Sequence, residues 1–400
     1  MKPNNAAHPY WTYTQEILRY KLSGSLPPAL ISPEETEKAL LKGLQGLKRS
    51  KKPFFLLLGL GTGALAQALD AALPPNVGLI VSELAPENAR ELEGKGKLPW
   101  WSAKARTQIL ADTSPWAHFH LWILSGLSPE NTFVQVNPEL EKNARAYSEL
   151  RKIFTAAKPV SPDLGVPSPR LTMAAILSPR DPGLPEFFRQ IPPCVQETVV
   201  VWDADSVPDL TFEAQSPIRP LARPLENDFA AQRNVMLDAV PSGWIFSLDA
   251  DERVSPGMWD ALGKLAAMGE RAGINAFYFP RQTLYPDMDH CLAGYGLWPD
   301  MQLRLFKKTP DLRFARPVHE RLENVRGPFG LVLNAPLVHL NRVLKGPAEV
   351  REKLALFDKA GKGRVKHHLS NEYPRLAVSF FPQAKGLKEL LTVVLPHSPV

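Results

Sequence analysis

Cysteine is almost missing from this chain: Cys194 and Cys291 are the only two among 400 residues. That scarcity excludes a disulfide framework and a cysteine-based zinc site, and it fits a reducing cytoplasm. Long apolar runs are missing too. No stretch reaches the ~18 apolar residues that a membrane span needs, and the opening MKPNNAAHPYWTYTQ carries no apolar signal core. The expected setting is cytoplasmic, with peripheral contact at the inner face of a membrane left open. Charge of one sign is also in short supply. There are 47 Lys and Arg against 41 Asp and Glu, a formal net of +6. So mild an excess suits phosphate-bearing ligands or an anionic surface. The basic residues are scattered and no nucleic-acid-binding motif is present, so no nucleic-acid partner is expected.

What the chain has in quantity is proline, at 40 residues, which stiffens loops and favours extended joints. Hydrophobic content of 44% and charged content of 22% are those of an ordinary globular protein. The length is ample for two cores. SPEETEKALLKGLQGLKRS opens with Ser32-Pro33 and acids in the first turn, a helix start. In KPFFLLLGLGTGALAQAL, Phe54 to Leu58 read as a buried strand, Gly59, Gly61 and Gly63 as a turn, and Ala64 onward as a helix. NVGLIVSELAPENARELE repeats strand, acid (Glu83) and helix. Alternation of this kind predicts a parallel sheet.

Prolines 159, 162, 167 and 169 then mark a linker, and a second alternation follows. The expected layout is a Rossmann-like domain over 1–160, a linker over 161–170, a second α/β domain over 171–365, and a helical tail over 366–400 that includes SFFPQAKGLKELLTVVLP. In the second domain, two strands run into acids. ETVVVWDADSVPD ends in Asp203 and Asp205, and GWIFSLDADERV ends in Asp249, Asp251 and Glu252. Ligands of open parallel sheets bind beyond the carboxyl ends of strands. Carboxylates so close repel unless something positive sits between them. They either project into water as a solvated turn or hold a cation. Residues two apart on an extended backbone share a face, so a D-x-D pair can present both carboxylates to one Mg²⁺ or Mn²⁺.

Several stretches in order carry a resemblance. LTMAAILSPRDPGLPEFFRQIPPCVQETVVVWDADSVPD, ENDFAAQRNVMLDAVPSGWIFSLDADERVSP, LWPDMQLRLFKK, ARPVHERL and APLVHLNR resemble the family 2 glycosyltransferases of GT-A fold, in the subgroup written L-D-A-D-E. The resemblance implies an inverting transfer from a nucleotide-diphosphate sugar to a glycan, lipid-linked or protein acceptor, in a cell-envelope pathway. It implies that Asp203 contacts the base or ribose, with Asp205 beside it, and that Arg180 and Asp181 stand where the family has a K-N-E-like turn. It puts Arg233 near the nucleotide phosphates, and Asp249 and Asp251 on a divalent cation, with His319 as a third ligand and His339 as a weaker one. Asp300 is the expected general base and Glu320 the second choice. Arg304 would pair with a phosphate or a neighbouring acid. Tyr285, Tyr295 and Trp298 stack on sugar faces or pack in a core.

The glycine turn followed by Glu83, 24 positions after Gly59, resembles the first two motifs of S-adenosylmethionine-dependent methyltransferases. There Gly59 and Gly61 let the backbone approach a cofactor, and Glu83 grips its ribose. No catalytic motif follows, VQVNPEL being only a faint substitute. A degenerate domain used for docking or acceptor binding is therefore favoured over an active methyltransferase. A glycosyltransferase is the leading expectation. A bifunctional glycosyltransferase/methyltransferase and a non-catalytic binding protein are the alternatives.

Overall fold

The computed structural model describes residues 7–24, 31–140, 144–162, 165–317, 320–344 and 370–397. The chain forms two compact α/β units. The first gathers Met1–Ala157, Leu292–Pro299 and Asn371–Phe380, and the second Lys158–Cys291, Asp300–Ser370 and Phe381–Val400.

The first unit opens with α1 (Pro9–Leu18) and α2 (Pro33–Ser50). Ser32 accepts from the Glu35 amide while Glu35 accepts from the Ser32 amide, a reciprocal box that starts α2 at the expected residue. Strands and helices then alternate: β1 (Phe54–Leu58), α3 (Ala64–Ala72), β2 (Gly78–Glu83), α4 (Pro86–Gly94), β3 (Thr107–Ala111), α5 (Pro115–Leu124), β4 (Thr132–Val136) and α6 (Ala144–Ala156). The sheet order is β3-β2-β1-β4 and every pairing is parallel. Helices cover such a sheet on both faces, which is why FFLLL and LIV are continuous apolar runs rather than alternating ones. Phe55, Leu57, Leu65, Leu79, Val81 and Ile109 form the centre of its core.

Residues 292–299 belong to this unit although they lie far along the sequence. Asp112, at the end of β3, accepts from the Tyr295 amide at 3.2 Å, and the Tyr295 hydroxyl donates to the Tyr20 carbonyl at 2.7 Å. Trp298 is buried against Tyr13 and His120. Of the two roles expected for Tyr295 and Trp298, the structure assigns packing.

The second unit contains β5 (Lys158–Val160), β6 (Leu171–Leu177), α7 (Leu184–Arg189), β7 (Glu197–Trp202), β8 (Ile218–Ala222), α8 (Phe229–Ala239), β9 (Trp244–Ser247), β10 (Glu252–Arg253), α9 (Pro256–Ala272), β11 (Ala276–Thr283), β12 (His290–Leu292), β13 (Asp300–Lys307), β14 (Arg313–Ala315), β15 (Arg321–Glu323), β16 (Phe329–Val332), β17 (Leu337–His339) and α10 (Asn341–Leu344). Its sheet runs β5-β19-β16-β11-β13-β9-β6-β7-β8, where β19 (Thr392–Leu395) follows β18 (Arg375–Ala377) near the end of the chain. From β6 the chain steps outward through β7 and β8, then crosses back to place β9 on the other side of β6, all four parallel. That reversal makes a topological switch point, the crevice where open α/β sheets bind ligands. Strand β13 runs antiparallel to both β9 and β11. Trp244, Phe246, Trp259, Leu262 and Phe277 lie at the heart of the core.

The tail departs from the expected helix. Its described residues hold three short 3₁₀ turns and the strands β18 and β19, with no α-helix among them. Pro374 and Pro382 remove backbone donors. The β-branched Thr392, Val393 and Val394 pair antiparallel with β16, so sheet packing overrides the helical period.

Candidate functional site

The site of the second unit is built at the carboxyl ends of β6, β7 and β9. After β9, Leu248 still donates to the Ala174 carbonyl, and the chain then turns so that the Glu252 amide reaches the Asp249 carbonyl at 3.0 Å. The turn places Asp249, Asp251 and Glu252 together, and arginines from three other elements meet Asp249 and Glu252.

Arg304, from β13, donates through Nη2 to Asp249 Oδ2 and to Glu252 Oε1, both at 2.6 Å. Arg233, from α8, donates through Nη2 to Asp249 Oδ1 at 2.8 Å and through Nε to Glu320 Oε1 at 2.7 Å. Arg281, from β11, donates through Nε and Nη2 to Asp300 Oδ2 at 2.9 and 2.6 Å, and its Nη1 lies 3.5 Å from Glu252 Oε1. Glu252 is wholly buried, and the Arg233 and Arg304 side chains are 7% exposed. Burial works to raise the Asp249 pKa, but Arg304 and Arg233 outweigh it and hold the carboxyl well below its ordinary value. Asp249 is therefore ionised at neutral pH.

Asp251 is separate from this ladder. Its Oδ1 lies 3.5 Å from His339 Nε2, and His339 Nδ1 lies 2.9 Å from Thr283 Oγ1. A proton on Nε2 faces the Asp251 carboxylate and leaves Nδ1 to accept from the Thr283 hydroxyl, so binding a cation between His339 and Asp251 would require the other tautomer. His339 is brought there by two pairings of β17, with β10 and with β11.

The expected metal set reads differently once these partners are known. Both oxygens of Asp249 already accept from guanidiniums. Asp251 and His339 present two donors of the kind that suit Mn²⁺ or Mg²⁺. His319 lies outside the described residues, and no group of three or more His, Cys, Asp or Glu is arranged to hold a metal ion among the described residues. Asp249, Glu252, Asp300 and Glu320 pair with the three guanidiniums, and Asp251 interacts electrostatically with Arg253.

Other expected residues fall around the same crevice. Asp203 Oδ1 accepts from the Leu225 amide at 2.7 Å. Asp205 and Arg180 are exposed, and Asp181 folds its own turn by accepting from the Ser178 amide at 2.7 Å. Asp300 has both oxygens occupied, Oδ2 by Arg281 and Oδ1 by Gln302 Nε2 at 2.7 Å. Glu320 accepts from Arg233 Nε through Oε1 at 2.7 Å. Arg281 escaped sequence reasoning. Its one signal is a charge directly after the apolar run AFYFP, still inside strand β11.

In the first unit, Glu83 stands at the end of β2 beside the glycine turn, as its position implied, but it is buried. Burial raises its pKa, against hydrogen bonds from the Leu60 and Ala85 amides, Tyr147 and Asn88.

No family model matches this chain. A TPR repeat-containing protein of Synechococcus elongatus is 27% identical over 164 residues, which are 40% of this chain and 37% of that protein. This chain thus spans little more than a third of its relative. Among solved structures, S. aureus TarS (residues 1–349) is 10% identical with a TM-score of 0.30, over 51% of this chain and 68% of that one. A putative O-methyltransferase from Klebsiella pneumoniae is 12% identical with a TM-score of 0.19, over 40% of this chain and 86% of that one. Both scores are too low for either likeness to bear on fold or chemistry.

Proposed function

We propose that the second unit is a sugar transferase that takes a nucleotide-diphosphate sugar and passes the sugar, with inversion, to a hydroxyl of a glycan, lipid-linked or protein acceptor. The observation that carries this reading is the convergence of Asp203, Asp249 and Asp251 on the strand ends beside the β6/β9 switch point. Asp203 is suited to the base or ribose of the donor. The ladder of Arg233, Arg281 and Arg304 holds the acids in fixed positions, so the site need not reorganise when charge develops. A divalent cation bound at Asp251 and His339 would neutralise the departing diphosphate.

The acceptor oxygen attacks the anomeric carbon. Its proton passes to a carboxylate, and the bond from that carbon to the diphosphate oxygen breaks with its electron pair leaving on the nucleotide. Glu320 is the better base of the two expected. Asp300 accepts from Arg281 Nε and Nη2 on one oxygen and from Gln302 on the other, three of its roughly four lone-pair sites, whereas Glu320 accepts from Arg233 through Oε1.

The test is a panel of nucleotide sugars with Mn²⁺, read by thermal shift and by release of the nucleoside diphosphate. One donor should raise Tm through linkage, by several degrees at saturating concentration. Asp251→Asn should abolish that rise. Glu320→Gln should lower kcat about 10²-fold or more with little change in donor affinity, and Asp300→Asn should cost less. A panel in which no donor shifts melting or is turned over would sink the reading.

A further inference from the structure

The glycine turn of the first unit resembles one that admits an S-adenosyl nucleoside, although its sequence favours a degenerate domain. We infer instead that this cleft is closed from inside, with the Glu139 carboxylate seated as the turn's own ligand, and that the unit takes no S-adenosyl nucleoside. The inference stands apart from the sugar-transfer reading, since it uses residues of the first unit only.

Three glycines in left-handed conformation, Gly59 (φ 94°), Gly61 (φ 60°) and Gly63 (φ 85°), curl the backbone from β1 into the amino end of α3. Such a concavity attracts an anion. Here the anion is internal. Glu139, just beyond β4, accepts from the Thr62 amide, and its Oε1 accepts from the Thr62 hydroxyl at 2.9 Å. The room that a glycine leaves for a ligand is also taken. A Cβ on Gly61 would collide with the Glu139 carboxylate, and one on Gly59 with the Leu140 side chain. Two asparagines pin the arrangement: Asn137 donates to the Gly59 carbonyl at 3.2 Å, and Asn88 to the Gly61 carbonyl at 3.0 Å.

The ribose grip is spent as well. Glu83 Oε2 accepts from the Leu60 amide at 2.9 Å and from Asn88 at 3.2 Å. Its Oε1 accepts from the Ala85 amide at 2.8 Å and from Tyr147 at 2.9 Å. A carboxylate offers about four lone-pair sites, so none remains for a ribose diol. Glu83 and Glu139 are each 2% exposed. A cofactor would have to displace Glu139 and Leu140 and strip Glu83 of its partners, leaving buried donors unpaired.

The experiment pairs binding with chemical rescue. Equilibrium dialysis of the whole protein with labelled S-adenosylmethionine should show no saturable binding. Glu139→Ala should lower the melting temperature of the first unit by about 2–6 °C, the size of a lost buried hydrogen-bond pair. Sodium acetate should then restore part of that loss beyond what sodium chloride of equal ionic strength does, and should do nothing comparable for the unaltered protein. If Glu139→Ala does not fold, Glu139→Gln keeps one acceptor for the Thr62 amide and should give a smaller fall. Saturable binding that Glu83→Ala removes, an unchanged melting temperature in the variant that folds, or acetate acting no better than chloride on Glu139→Ala would each overturn the inference.

Discussion

Replacing Arg304 with methionine removes one charge and keeps most of the side-chain stem, so packing is nearly preserved. What changes is the electrostatics of two carboxylates. Glu252, wholly buried, loses a charged partner at 2.6 Å and keeps the Arg281 guanidinium at 3.5 Å and the Asp249 amide at 3.1 Å. Asp249 keeps Arg233 at 2.8 Å. Removing one member of a buried ion pair costs about 3–5 kcal/mol, because the charge left behind is uncompensated. That is a large share of a typical domain's stability, roughly 5–15 kcal/mol. The assay is urea unfolding at pH 7, followed by tryptophan fluorescence, with Trp202, Trp244 and Trp259 reporting from the second unit. Adding Glu252→Gln removes the orphaned charge, so the double variant should recover about half of the loss or more. Such coupling is expected of groups in direct contact. Acid supplies a further check. Asp249 has its pKa held down in the folded protein, so the stability it draws from its pairs is present above its unfolded value of about 4. That contribution is lost as pH falls through the depressed folded value. The gap between the unaltered protein and Arg304→Met should therefore narrow below about pH 4. A loss under ~1 kcal/mol at pH 7, the size of an exposed pair, or strict additivity of the two substitutions, would refute the claim that this ladder is a coupled buried network.

Two further outcomes follow from the packing. Burial raises the Asp112 pKa to about 6, against hydrogen bonds from Tyr13, Ser114 and Tyr295. A raised acid stabilises the fold fully below its unfolded pKa and loses that contribution as pH rises through the folded one. Between pH 4 and pH 7, Asp112→Asn should therefore gain on the unaltered protein by on the order of 2–3 kcal/mol, and parallel stability curves over that window would refute it. Gly269 lies against the Trp244 ring, and a Cβ there would come within 2.6 Å of the Ile274 carbonyl. Gly269→Ala should cost about 1–3 kcal/mol through overpacking, read as a lower urea midpoint with an unchanged slope.

Much of the scaffold was legible because its signals are local. Phe54 to Leu58 is an unbroken apolar run ended by glycine, and that alone marks a strand buried on both faces. Ser32 and Glu35 announce a helix start within four residues. The acids after VVVW and WIFS mark strand ends because an unpaired charge is costly to bury inside a strand. Other features depend on groups distant in sequence. Arg233, Arg281 and Arg304 sit on three separate elements, and nothing within any one of them says that they converge on Asp249, Glu252, Asp300 and Glu320. Residues 292–299 lie beyond the middle of the chain, yet Tyr295 and Trp298 complete the first unit.

The sequence by itself determined the alternation of strands and helices, the glycine turn and the acids at strand ends, since each follows from a few neighbouring residues and their backbone preferences. Only the tertiary structure decided which acids are already paired. Asp249 meets two guanidiniums, Asp251 meets His339, and Glu139 fills the glycine turn, because ion pairing and steric occupancy depend on distance in space and not on spacing along the chain. The tail turned on the same point. TVVL can be a strand or part of a helix until an open sheet edge at β16 offers it hydrogen-bond partners.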